Sequence, residues 1–192
     1  MPGASPQFRS SPHAFDIIRS VKCKVTIDGA LPRTTGITRA ELRSAAELFA
    51  AKSSARVCEP FCAVTVILHG DADSSEVHLA INGVAGPTDV ITQRYDPMPG
   101  ESPGVYGELY VNVDQAARAA PRRRGWSVAK ELLLYVAHGM DHLSGADDLT
   151  PEKYDQMRRR ELRWLGCCRH GGNNGIITTK EEHETRRMQD DN

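Results

Sequence analysis

The chain has 192 residues, of which 40% are hydrophobic and 26% charged, and a formal net charge of −1. That length and composition suit one ordinary globular domain with tails, and they exclude a collagen-like, fully disordered or globally cationic chain. The most apolar stretch, Phe61 to Leu68, is eight residues long, whereas a membrane span needs about twenty, so no membrane partner is expected.

Residues 1–14 hold Pro2, Pro6 and Pro12 and no apolar block, so they read as a flexible tail without a secretory signal. Arg9 and several serines precede the first acid, Asp16, which leaves an organelle-targeting role open. Five cysteines, Cys23, Cys58, Cys62, Cys167 and Cys168, fit free thiols in a reducing compartment, and the cytoplasm is the expected location.

Val21, Cys23, Val25 and Ile27 alternate with polar residues and predict a half-buried strand. Thr38 and Glu41 have capping-box spacing, and Leu42, Ala45, Ala46 and Phe49 follow at helical intervals, which predicts a helix over 39–52. Phe61–Leu68 reads as a central strand and Thr88–Thr92 as a short one. The turn at Gly104–Gly107 leads into a further strand carrying Leu109, Val111 and Val113. Ser127 then caps a long apolar helix from Val128 to about Leu143. Thr150, Pro151 and Glu152 open a last helix that runs to about Leu165. Residues 169–192 pass through Gly171, Gly172, Asn173, Asn174 and Gly175 into a charged end, which reads as a second flexible tail. The expected fold is therefore a single α+β domain over 15–168, with a small mixed four-stranded sheet covered by helices.

The chemistry gathers at His138-Gly139-Met140-Asp141-His142-Leu143-Ser144-Gly145-Ala146-Asp147-Asp148, on the long central helix. Residues four apart on a helix share a face, so His138 and His142 aim at one point. Gly145 permits the left-handed turn that ends the helix and returns the chain, which brings Asp148 in as a third ligand. Two imidazoles and one carboxylate make an open, catalytic type of zinc site for one Zn²⁺ ion. Gly139 stands where peptidases of the HExxH type carry their glutamate base, whereas Asp141 flanks the ligand face at a similar angle, about 80° away. Asp141 is accordingly the expected proton acceptor. Arg118, Arg122, Arg123 and Arg124, with Trp126 directly after them, supply cations for phosphates and a ring that can stack on a base. Arg158, Arg159, Arg160, Arg163 and Arg169 form a second cluster opposed only by Glu161, and the two clusters flank the metal helix as the walls of an expected RNA groove.

The motif from His138 to Asp147 resembles that of the YbeY family of metal-dependent endoribonucleases, single-domain rRNA maturation factors whose motif reads H-G-x-x-H-L-x-G-x-D-H. Gly86-Pro87-Thr88-Asp89-Val90 resembles the family's P-T-D-V strand. Gly107-Glu108-Leu109-Tyr110-Val111 with Ala116-Ala117-Arg118 is similar to a later strand and helix start, and Met157, Glu161 and Leu165 fall as in its last helix. Asp148 replaces the family's third histidine. No arginine occurs in Asn82-Gly83-Val84-Ala85-Gly86, where the family has one, although Arg94 follows closely and is the expected substitute on RNA. The resemblance implies a zinc-dependent, single-strand-specific endoribonuclease whose partner is rRNA or a ribosomal subunit. The alternatives are a metallohydrolase of another class, such as a metzincin-like peptidase, and a ribosome-associated binding module with a mainly structural metal.

Overall fold

A computed structural model describes residues 22–170 and 177–179. In chain order the elements are β1 (Lys24–Gly29), α1 (Arg39–Val57), β2 (Phe61–His69), α2 (Asp71–Asn82), β3 (Val90–Tyr95) and β4 (Val105–Asn112). They continue with α3 (Val113–Ala119), α4 (Val128–Leu143), α5 (Pro151–Cys167) and the short strands β5 (Cys168–His170) and β6 (Ile177–Thr179). The main sheet has the order β1-β2-β4-β3, with β1, β2 and β4 parallel and β3 antiparallel on the edge. The Phe61 strand is thus central, and the α+β class with a mixed four-stranded sheet is as the sequence predicts.

One face of the sheet is dry. Phe61, Val64, Val66 and Leu68 of β2 and Val105, Leu109 and Val111 of β4 are buried there, beneath α1 and α4. The helix α4 buries residues on nearly every side, among them Leu132, Leu133 and Leu134, each contributing about 1.5–3 kcal/mol of transfer free energy. Its approach to the sheet is close: a Cβ on Gly107 of β4 would lie 2.5 Å from Leu143 Cδ2. The last helix packs on α4 through Met157, Glu161, Trp164 and Leu165, and Trp164 stacks on Phe49 of α1 at 6.4 Å.

Several elements differ from the sequence reading. The first helix runs on to Val57, because Ser53 and Ser54 bury their hydroxyls by donating to the carbonyls of Met140 and Glu59. The strand expected at Thr88–Thr92 lies at Val90–Tyr95. The helix α2 was not anticipated: it buries only Ser74, so apolar periodicity is weak, and it is favoured instead by Asp71 and Asp73 at its positive end. The expected tail from 169 pairs in part, since β5 and β6 form a two-stranded antiparallel ribbon. The remainder of both expected tails, 1–14 and 171–176 with 180–192, lies outside the described residues. All five cysteines are unpaired thiols, and no described helix is long and apolar enough to cross a membrane.

Candidate metal centre and its surroundings

Ser127 starts α4 by accepting the Lys130 N–H at 3.2 Å, and the helix carries His138 and His142 near its far end. Beyond Leu143 the backbone folds back. Gly145 donates to His142 O at 2.8 Å and Ala146 to Asp141 O at 3.2 Å, with Gly145 at φ 79° as the predicted left-handed turn. This reversal returns Asp148 to the histidines. Its neighbour Asp147 points elsewhere, pairing with Lys153 at 2.8 Å, which holds the Asp147 carboxyl below its usual range.

The three side chains converge. His138 Nε2 and His142 Nε2 are 3.1 Å apart, and Asp148 places its oxygens 3.7 Å and 3.9 Å from them. Ligands about 2.0–2.1 Å from a tetrahedral zinc ion lie about 3.3–3.4 Å from one another, so these edges bracket the spacing such an ion requires. Proton bookkeeping agrees. His138 Nδ1 faces Glu161 Oε1 at 2.6 Å, and His142 Nδ1 faces the Ala146 carbonyl at 3.0 Å. Glu161 and the Ala146 carbonyl offer only acceptors, so each Nδ1 donates and each ring turns its Nε2 toward the shared point. Two lone pairs and a carboxylate brought this close repel one another unless a cation lies among them, and fixing the ligand tautomer by a bond from the other nitrogen is what metal-binding histidines require. The residues present therefore fit a divalent metal.

A profile described as Endoribonuclease YbeY matches residues 33–167. The chain belongs to that family. An Endoribonuclease YbeY of Bifidobacterium longum subsp. infantis is 35% identical over 111 residues, spanning 52% of this chain and 58% of the relative. Another, from Thermus thermophilus, is 35% identical over 103 residues, spanning 53% of this chain and 73% of the relative. The match thus spans little more than half the length of the first. A solution structure of a Thermotoga maritima protein, 23% identical, covers 73% of this chain and 86% of that one with a TM-score of 0.48.

Within this YbeY domain, the surroundings of α4 give two of the expected site residues partners inside the fold. Asp141 is fully buried, and its carboxylate is held by Arg160 at 2.6 Å and Arg56 at 3.4 Å. Flanking the ligand face by angle has put it between α1 and α5, where arginines hold both oxygens, an arrangement that suits a buried ion-pair partner. Arg94, expected on RNA, donates to Leu143 O at 3.1 Å and to Glu59 at 2.8 Å. There it ties β3 to the negative end of α4, a structural use of its charge.

The loop after α3 is mixed. Arg118 pairs with Asp71 and Gln115. Arg123 bonds the buried Glu131 at 3.1 Å and lies over the Trp126 ring, whose face Lys130 also covers at 3.9 Å. Trp126 is half-buried against the core, so its expected stacking face is already occupied by cations. Arg122 and Arg124 are exposed and have no ion-pair partner among the described residues.

Glu161 was not anticipated as a functional residue. It is fully buried, bonds His138, and keeps its second oxygen 3.3 Å from Arg158, in poor hydrogen-bond geometry. Burial opposes charge on His138, but the Glu161 hydrogen bond with the negative charges of Glu161, Asp89 and Asp148 outweighs it and raises the imidazole pKa above its ordinary value. The available signal was one acid within an arginine run, placed on the apolar stripe of α5 with Met157 and Leu165.

Proposed function

We propose that the protein is a zinc-dependent endoribonuclease that cleaves single-stranded RNA during rRNA maturation and ribosome assembly in the cytoplasm. The observation that carries this reading is the convergence of His138, His142 and Asp148 with both Nδ1 atoms engaged. Imidazole and carboxylate donors in a three-ligand set suit zinc with an open position. The ion, when bound, supplies Lewis acidity for phosphodiester hydrolysis.

The chain's own residues do the rest. Glu161 and the Ala146 carbonyl hold the imidazoles in their ligating tautomer. The exposed Arg122 and Arg124 meet backbone phosphates, and Arg118, Arg123 and Trp126 shape the loop that presents them. The peptidase reading is weakened by Gly139, which supplies no glutamate base and where a Cβ would lie 2.7 Å from Leu109 Cδ2. Incubation with single-stranded ribosomal RNA tests the proposal. Cleavage should cease on chelation and return with zinc, and casein should stay intact. RNA binding without cleavage at any metal concentration would favour the binding-module alternative, and casein hydrolysis the peptidase.

A further inference from the structure

The last helix carries the second arginine cluster, which the metal centre does not use. Gln156, Arg159, Arg160 and Arg163 line one cleft of about 510 Å³. At about 100° per residue they occupy an arc centred about 150° from Glu161, so the cleft lies on the flank of α5 turned away from the metal-facing side.

Its charge is unbalanced. The buried Asp141 is shared by the partly exposed Arg160 and Arg56, so that trio retains one positive charge. Arg159 and Arg163 add theirs one helical turn apart, and neither has an ion-pair partner among the described residues. Like charges four apart on a helix are destabilising. Arg160 is held in place, with Nε and Nη2 both on Asp141 Oδ2 at 2.8 Å and 2.6 Å, so part of the cleft is organised before any ligand arrives. Guanidinium forks match phosphate oxygens bidentately, and Gln156 adds an amide donor beside them.

We propose that this cleft is a phosphodiester-binding site that holds RNA backbone outside the cleaved segment. The inference rests on the RNA reading above and adds to it a contact surface separate from the metal centre. Binding there is common to ground and transition states, so it lowers KM for long strands and leaves kcat unchanged.

The test uses the full chain and a fluorescent single-stranded 2′-O-methyl oligonucleotide, with affinity measured across a salt series. In Arg159→Ser/Arg163→Ser the salt slope should fall by about 1.4, since each single-strand phosphate contact contributes about 0.7, and affinity should drop severalfold at low salt. Arg159→Lys/Arg163→Lys should retain most of the slope. Gln156→Glu, which places an acid in the cleft without touching any arginine, should also weaken binding, and it serves if the double variant fails to fold. On long RNA, KM should rise at constant kcat, whereas a short oligonucleotide should show no change. A wild-type affinity and slope in the double serine variant, with RNA cleavage intact, would overturn the cleft alone. A wild-type protein that binds no RNA would overturn both the cleft and the function.

Discussion

His138 donates its Nδ1–H to Glu161, whose Oε1 lies 2.6 Å away, and turns its Nε2 toward His142 and Asp148. Glu161→Gln preserves the volume and an acceptor but removes the charge. Zinc affinity should fall on the order of 10–100-fold, with RNA cleavage regained in excess zinc. Competition against a fluorescent chelator measures this, and an unchanged affinity would remove Glu161 from the site.

The ligands themselves make a sharper test. His138→Ala should abolish stoichiometric zinc, because two remaining protein ligands rarely hold an open site. Asp148→His should keep the metal, as an imidazole can ligate where the carboxylate does. Elemental analysis of purified variants reads both, and full zinc occupancy in His138→Ala would refute the ligand assignment.

Asp141→Asn should act on stability. Removing the charge leaves Arg160 and Arg56 without their buried partner, and breaking a buried ion pair costs about 3–5 kcal/mol. Thermal unfolding should shift down strongly, while turnover per folded molecule and zinc content stay near wild type. A normal melting temperature with turnover reduced by about 10²–10⁴-fold would restore Asp141 as the proton acceptor.

The raised pKa of His138 sets opposite pH dependences for the metal-free and loaded protein. Without metal, a folded pKa above the unfolded 6.5 stabilises the native state. That contribution is complete below 6.5 and is lost as pH rises through the folded value. Zinc needs the unprotonated ring, so the rise in Tm on adding zinc should be largest above the folded pKa of His138 and shrink on acidification. Calorimetry with and without chelator checks the crossing trends, and a zinc-induced shift independent of pH would contradict them.

For the arginine loop, Arg122→Ser/Arg124→Ser should weaken RNA binding and flatten its salt dependence with little change in Tm. Arg123→Ser should lower Tm, since it strips the buried Glu131 of its cation. Equal melting temperatures for the two variants would contradict this division.

The parts of the site legible in the sequence are those fixed by short-range geometry. The helical period aligns His138 with His142, and a glycine at Gly145 turns the chain back to Asp148, all within eleven residues. Glu161 lies far along the chain, and only the packing of α5 on α4 brings it to His138. The ion pairs of Asp141 were hidden for the same reason: a helical angle gives the direction of a side chain, but its partners Arg56 and Arg160 come from two other helices. In the fold, strongly apolar elements such as β2 and α4 announced themselves, whereas α2 buries so little that its sequence carries almost no period.

Gly139 has a consequence for how the helix of His138 and His142 sits on the sheet. Peptidases of the HExxH type carry a glutamate at this place. Here a Cβ would meet the side chains of Leu109 at 2.7 Å and Val90 at 3.1 Å, both from the main sheet. Any side chain at this position has to displace those two neighbours before it fits. The contact that brings the helix down onto the sheet thus also ties the placement of its histidines to the packing of Leu109 and Val90.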